Sequence, residues 1–395
     1  MKYKNLNLVV KKFIVVVFLY GLTSASFNGF FGIYVKELGY AESLVGSILS
    51  LRRLSVAIST FSIAALAGKI GHKKTLGVGL FTVGLSSISI VMVENINLMR
   101  IIALVFGFGQ AAMMTVESPF LYSQTSEKER VHAFSLAFAT RNAAFVTGSL
   151  LTGVIADYFA KFFGEGAVSI RYALVIISIT SLLAIIPLLL LKPKKSTSKR
   201  NIDLADLKTF FTKDNVIFII YTGLIGLGAG LVVPFFGVYL KYVLDTKESV
   251  VGLILSFAQL GTVFGGLSVP FLSLRLGNYK TIVATQLLSI PLLIAIGFPQ
   301  GIIVVAIAFF LRSSLMNMSQ PLIRNISMEI VDENLRPLMS AMRAMINNLM
   351  RAIGIFLGGA IMEAYTYNTP YIFTIIFYLI GTYVFYKLFK DKILY

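Results

Sequence analysis

Two adjacent arginines, Arg52 and Arg53, lie in the otherwise apolar run ILSLRRLSVAIS, which is typical of a buried helix. A guanidinium is a planar fork of hydrogen-bond donors that matches carboxylate and phosphate geometry. Placing one near the centre of a bilayer helix costs about 2.5–3.5 kcal/mol. The pair therefore indicates that a partner, either a ligand or another part of the protein, stabilises these charges.

Further arginines fall inside apolar runs and polar residues accompany them. Arg343, Asn347 and Arg351 recur at i, i+4 and i+8, so they share one helix face. A single acid, Glu117, is predicted at comparable depth. The embedded charge is therefore strongly positive, which favours an anionic organic solute as ligand. The candidate ligand-binding residues are Arg52, Arg53, Gln110, Arg141, Asn142, Arg312, Arg343, Asn347 and Arg351.

A structural role for these arginines is the competing interpretation, because helix carbonyls, water or Glu117 can also hold a guanidinium. Glu117 itself has two interpretations. A desolvated carboxylate can carry a proton, whereas a nearby arginine would hold it as an ion pair. If the arginines are structural, the sequence fits a proton-coupled exporter of lipophilic, drug-like or sugar-like compounds.

Composition decides the class of protein. The 395 residues are 57% hydrophobic and 13% charged, and the mean hydropathy is +0.83, whereas soluble domains carry about 25% charged residues. This is the composition of an all-α integral membrane protein. The absence of cysteine excludes disulfides and Cys-ligated metals. Since there is no acid pair, buried histidine or metal-ligand cluster, we expect neither an enzyme nor a bound metal or cofactor.

Apolar runs of about 20 residues each predict twelve spans. Connections on the side of the two termini hold 23 of the 35 lysines and arginines, and those on the opposite side hold six. This bias predicts a multi-pass cell-membrane protein with both termini cytoplasmic. The net charge of +17 is then explained by the basic residues in the cytoplasmic connections, and we do not expect nucleic-acid binding. The predicted spans are 13–35, 44–66, 75–94, 100–123, 131–158, 171–191, 216–240, 249–272, 280–298, 301–324, 336–363 and 369–389.

The chain contains an internal repeat. FFGIYVKELGYAESLVGSILS (30–50) returns as FFGVYLKYVLDTKESVVGLILS (235–256), and a shift of about 206 positions also relates Gly71 to Gly277 and Arg130 to Arg336. The repeat predicts two pseudo-symmetric six-helix bundles. Parallel repeats of this kind are a known architecture of secondary transporters. We predict an N-terminal bundle over 1–191, a polar cytoplasmic linker over 192–215 and a C-terminal bundle over 216–395. Within the linker, LADLKTFF favours a short amphipathic helix on the membrane surface.

Two short motifs at equivalent places in the repeats resemble those of the major facilitator superfamily. They are ALAGKIGHKK (65–74), between the second and third spans, and FLSLRLGNYK (271–280), between the eighth and ninth. The glycines and basic residues match the family motif, but Gly68 and Leu274 stand where the family has an acid. The resemblance covers nearly the whole chain and implies gating roles for Lys69, Gly71, Lys73, Arg130, Arg275, Gly277 and Arg336.

The resemblance also implies how the protein works. A small-molecule substrate would bind between two bundles in the lipid bilayer, and alternating access would carry it across, with protons as one option for coupling and a monomer as the working unit. Spans two, five, eight and eleven would border the seam, and spans one, four, seven and ten would line the cavity. The predicted buried arginines fall on spans two, five, ten and eleven, which places them at or near that cavity.

Overall fold

The computed structural model describes residues 7–193, 209–299 and 301–391, so the proposed amphipathic segment of the linker lies largely outside the described residues. Within these ranges, twelve helices are long and apolar enough to cross a membrane. They are α1 Leu8–Glu37, α2 Glu42–Ile70, α3 His72–Met92, α4 Ile96–Gln124, α5 Glu127–Phe163, α6 Ala167–Leu189, α7 Lys213–Tyr242, α8 Glu248–Leu276, α9 Asn278–Gly297, α10 Ile302–Glu329, α11 Arg336–Ala364 and α12 Thr369–Leu388.

Several helices extend beyond the apolar runs that predicted them. The start of α5 lies at Glu127, four residues before the predicted position, because Ser126 and Glu129 form a capping box there. At its other end α5 continues to Phe163, where Gly164 ends it with a φ of 78°. Hydropathy marks only the part of a helix that lies in hydrocarbon, so it does not detect the polar turns at the two helix ends.

The two family-like motifs form tight turns of the same geometry. Gly71 ends α2 with φ 87° and ψ 156°, and Gly277 ends α8 with φ 78° and ψ 161°. Glycine alone adopts this region readily, because a Cβ is strained there. Both turns therefore require glycine for a backbone reason, whatever the basic residues beside them do.

The turn geometry gives a stability prediction. Replacing Gly277 by alanine is expected to lower the free energy of unfolding by about 1–3 kcal/mol, the cost of a strained backbone position. Gly68 is the matched control: it is helical, and a Cβ there would meet nothing within 4 Å. Gly68→Ala should leave the melting temperature of the purified protein unchanged or raise it. A Gly277→Ala melting temperature equal to wild type would contradict the prediction.

The helices pack as two bundles that meet along a seam. In the first bundle α1 packs on α5 and α6, and α4 packs on α2 and α3; in the second α7 packs on α11 and α12, and α10 packs on α8 and α9. Across the seam α2 packs on α11, α5 packs on α8, and α1 meets α7. We call the face where α1 begins and α12 ends the terminal face, and the opposite face the distal face.

Near the distal face the bundles touch backbone to backbone. A Cβ added to Gly153 of α5 would lie 2.3 Å from the carbonyl oxygen of Glu248 on α8. The repeat-related contact is equally tight, since a Cβ on Gly359 would lie 2.5 Å from the carbonyl oxygen of Glu42. Small residues permit such close helix approach. The distal end of the seam is therefore sealed twice, by pseudo-symmetric glycine contacts.

Candidate functional site

A cavity of about 640 Å³ lies between the two bundles. Its lining comes from both halves: α1, α2, α4 and α5 on one side and α7, α8, α10, α11 and α12 on the other. The lining extends to Arg324, an exposed residue five positions before the end of α10. Because the distal end is sealed, the cavity opens toward the terminal face.

The charge of this lining is entirely positive. Among the residues that the structure describes, six arginines and no Asp, Glu or Lys line the cavity. Polar neutral side chains and apolar side chains make up the rest, so the cavity suits an organic molecule that carries negative charge. The lining arginines are Arg52, Arg53, Arg312, Arg324, Arg343 and Arg351.

Two of these arginines are almost fully buried and only partly hydrogen-bonded. Arg52 is 5% exposed; its Nη2 donates to Asn28 Oδ1 at 2.7 Å, and its guanidinium lies over the Phe106 ring. None of the described residues accepts a hydrogen bond from its Nε or Nη1. Arg312 is also 5% exposed, with Nη2 donating to the Tyr378 hydroxyl at 3.3 Å and Nε unpartnered. Such donors are costly to bury without an acceptor.

The other lining arginines divide by depth along α11. Arg351 is close enough to Arg312 and Arg53 for their charges to repel. Arg343 lies eight residues earlier, about 12 Å nearer the terminal face, where its charge interacts with that of Arg324. The cavity thus has a central cluster (Arg52, Arg53, Arg312, Arg351) and an outer pair (Arg324, Arg343).

Three predicted binding residues lie outside the lining. Arg141 forms an ion pair with the buried carboxylate of Glu117, as one of the two interpretations of that acid expects. Asn142 accepts a hydrogen bond from Gln259 across the seam. Gln110 is buried on α4. Of the predicted set, Arg52, Arg53, Arg312, Arg343, Asn347 and Arg351 are the ones brought together around the cavity.

Several lining residues were not predicted from the sequence. Ser313, Asn317, Gln320 and Arg324 all line the cavity from α10. They recur at i, i+4, i+7 and i+11, the spacing of one helix face, so a polar stripe was present in the sequence. Arg324 was not predicted as a binding residue because it lies at the predicted end of its span. The other polar lining residues that were not predicted are Asn28, Ser149, Tyr221, Thr222, Gln259, Thr262, Asn348 and Tyr378.

At the distal face, each bundle has an internal lysine–glutamate pair beside the glycine contacts. Lys36 Nζ lies 2.5 Å from Glu42 Oε1, and Lys241 Nζ lies 3.0 Å from Glu248 Oε1, so the pairs are repeat-related. Glu42 and Glu248 are 7% and 2% exposed. The expectation that Glu117 is the single buried acid was therefore wrong, because predicted span ends were assumed to be solvated.

Further hydrogen bonds join the bundles at the same level. The hydroxyl of Tyr367, in the turn before α12, donates a hydrogen bond to Glu42 of α2. Burial raises the pKa of Tyr367, and the hydrogen bond to Glu42 raises it further, so the phenol keeps its proton at neutral pH. Glu363 also accepts a hydrogen bond from the backbone N–H of Ser43 at 3.1 Å. Both carboxylates hold the distal end closed.

The predicted gating residues lie at the terminal face, and their described contacts stay within one bundle. Lys73 donates to the carbonyls of Leu189 and Leu191 at the end of α6, at 2.8 and 2.6 Å. The other basic residues have the following places: Arg130 lies over the Tyr122 ring, Arg275 over the Phe271 ring, Arg336 donates to the Met328 carbonyl, and Lys69 is exposed. A cation beside a helix C-terminus is stabilised by the helix dipole alone.

Comparison with solved structures supports the fold. The nucleoside transporter NupG superposes with a TM-score of 0.82 at 14% identity, covering 97% of this chain and all of that one. A bacterial homolog of the human lysosomal transporter Spinster, in an inward-facing and unoccupied conformation, gives 0.76 at 12% identity, covering 97% of this chain and 96% of the other. At these identities the likeness shows the architecture alone.

Sequence comparison gives the family. The multi-drug resistance efflux pump PmrA homolog of Lactococcus lactis subsp. lactis (strain IL1403) is 28% identical over 152 residues, which are 37% of this chain and 37% of that protein. The model of the Major Facilitator Superfamily matches residues 13–227 and 218–393, nearly the whole chain. The chain therefore belongs to the major facilitator superfamily, as a multi-pass membrane protein for secondary transport of a small-molecule solute and not an enzyme.

Proposed function

We propose that the solute is an organic anion and that the arginine-lined cavity binds it. The observation that carries this proposal is the lining itself, which has six arginines and no acid among the described residues. A cationic or neutral solute would leave these charges uncompensated when the cavity closes. An anion would accept hydrogen bonds from the unpartnered guanidinium nitrogens of Arg52 and Arg312.

Transport then proceeds by alternating access. The termini lie in the cytoplasm, as the charge bias predicts, so the present conformation is open to the cytoplasm and closed at the distal face. Closing the terminal ends around the anion and separating the distal contacts would expose the cavity to the other side. The duplicated glycine contacts would break together, because the repeats place them at one level, whereas each lysine–glutamate pair lies within one bundle and can persist.

The proposal predicts which solutes stabilise the purified protein. Small organic anions should raise its melting temperature, whereas matched neutral and cationic solutes should not. Arg343→Ala and Arg351→Ala should each weaken that effect by about tenfold or more in half-maximal concentration, since a charge-assisted pair is worth about 1.5–3 kcal/mol. Lys387→Ala, at an exposed position near the end of α12 and outside the cavity lining, is the control. Stabilisation by cations alone, unchanged in both cavity variants, would overturn the proposal.

A second candidate, proton-coupled export of lipophilic compounds, has one supporting observation: the partial likeness to the multi-drug efflux pump homolog. Glu117 would then be the proton carrier. Its contact with Arg141 favours a structural role instead, because the guanidinium already occupies the carboxylate as a fixed partner.

Glu117→Gln separates the two candidates. Under the anion proposal the variant should keep transport within a few fold of wild type, with a lower melting temperature from the lost ion pair. The measurement is the flux of the anion, and of a lipophilic compound, into proteoliposomes with and without a pH gradient. Gln110→Ala, seven positions before Glu117 on α4, is the control. Flux of a lipophilic compound that is driven by the pH gradient and is lost in Glu117→Gln alone would favour the exporter.

A further inference from the structure

The central cluster has more positive charge than a simple carboxylate can compensate. Arg52 and Arg53 come from the first bundle, and Arg312 and Arg351 come from the second. The charges of Arg53 and Arg351 repel across the seam, and those of Arg351 and Arg312 repel within the second bundle. No acidic residue among the described lining residues offsets them.

The cluster also presents its donors from several directions. Asn28 and the Phe106 ring fix the Arg52 guanidinium from one side, leaving Nε and Nη1 buried and unpartnered. Tyr378 and the Phe236 ring fix the Arg312 guanidinium from the other bundle, leaving Nε unpartnered. Nε of Arg351 is buried without an acceptor as well. A ligand with several acceptor oxygens on one atom fits such an arrangement better than a flat group with two.

We propose that the central cluster binds a phosphoryl dianion, carried by an organic phosphate monoester. A phosphate monoester bears two negative charges near neutral pH and three acceptor oxygens in a tetrahedral arrangement. The organic part would lie against the apolar and aromatic lining of the second bundle, which includes Tyr221, Ile225, Leu255 and Met316. The outer pair, Arg324 and Arg343, attracts the dianion from the terminal face. This inference rests on the proposed anion transport and adds the class of anion.

A matched pair of probes tests the charge requirement. Methyl phosphate gains its second charge with a pKa of about 6, whereas dimethyl phosphate carries one charge throughout. Binding of methyl phosphate to the purified full chain, followed by calorimetry, should be at least about tenfold tighter at about pH 8 than at about pH 5. Dimethyl phosphate should bind weakly at both. Among the described lining residues there is no Asp, Glu, His or Lys, so a change over this interval reports the ligand.

Variants test the site itself. Arg351→Lys keeps the charge and loses the planar fork, so it should weaken methyl phosphate binding by about tenfold. Arg53→Lys should do the same from the first bundle. Arg100→Lys should leave binding unchanged, because Arg100 lies outside the cavity lining and bonds to Ser47 and Asn97 near the distal face. Unchanged affinity in both Arg351→Lys and Arg53→Lys, with each protein folded by melting temperature, would overturn the assignment.

Three further outcomes are decisive. If succinate or dimethyl phosphate binds as tightly as methyl phosphate, the phosphoryl dianion is wrong while anion transport stands. If inorganic phosphate binds more tightly than phenyl phosphate, the organic part is wrong and the free ion is the ligand. If no anion binds and a neutral or cationic solute does, both this inference and the proposed function fail.

Discussion

Replacing Gly252 by alanine is expected to hold the transporter open at its distal face. A Cβ on Gly252 of α8 would lie 2.5 Å from the backbone carbonyl oxygen of Ser149 on α5. Backbone cannot rotate away as a side chain can, so the bundles must separate there. Overpacking of this kind costs about 1–3 kcal/mol. The cost applies only to the distal-closed state, so the population should shift toward the distal-open state by about 10–100-fold.

A single engineered cysteine reports this shift, because the chain contains none. Ala229→Cys places a thiol in the cavity lining. In the wild-type background an impermeant thiol reagent should react from the terminal face, and with Gly252→Ala it should also react from the distal face. Transport should fall by about tenfold or more, since the cycle requires the distal-closed state.

The matched control is Gly266→Ala on the same helix. A Cβ there would lie 3.6 Å from Cζ of Phe138, an ordinary contact. Labelling and transport should therefore match wild type. Distal labelling that stays absent in Gly252→Ala would show that the glycine contact does not hold the closed state.

Exchange of anion for anion is expected to be at least about tenfold faster than net transport. To reorient without a ligand, the protein must close its terminal end around six arginines with no acid beside them in the described lining. A buried charge without a partner carries a desolvation penalty of several kcal/mol, and about 1.36 kcal/mol of added barrier already slows a step tenfold. A bound anion removes much of that penalty. The empty carrier should therefore return slowly.

Proteoliposomes loaded with labelled anion measure both rates. Efflux into buffer that contains the same unlabelled anion gives exchange, and efflux into anion-free buffer gives net transport. The membrane potential is clamped with potassium and valinomycin so that net charge movement is not limiting. Lys387→Ala should keep the wild-type ratio because Lys387 is exposed at the end of α12 and lies outside the cavity lining. Equal rates of exchange and net efflux would contradict the electrostatic argument.

The fold followed from local signals in the sequence. An apolar run and the Lys/Arg content beside it can be recognised from one segment and its neighbours, so all twelve spans were predicted. The errors concern where helices end, as at Glu127 and Phe163 of α5. The glycine turns at Gly71 and Gly277 were equally local. By contrast, hydropathy offers no account of Glu42 and Glu248, which are buried because the opposite bundle covers them.

The cavity could be predicted only in part. Arg343, Asn347 and Arg351 share one helix face by spacing alone, and the structure places that face in the cavity. Arg141 has the same buried-arginine signature, yet it pairs with Glu117 outside the lining. Nothing within a single helix distinguishes the two cases, because the difference is which neighbour the face meets.

The sequence by itself determined a duplicated set of membrane helices with excess buried arginine, since hydropathy, charge bias and repeat spacing are properties of the chain in order. Only the tertiary structure decided which arginines converge, that Asn28 and Tyr378 hold two of them, and that Arg324 joins them. The physical reason is that these side chains come from helices far apart in sequence. Their meeting depends on how the two bundles pack across the seam, which no local pattern encodes.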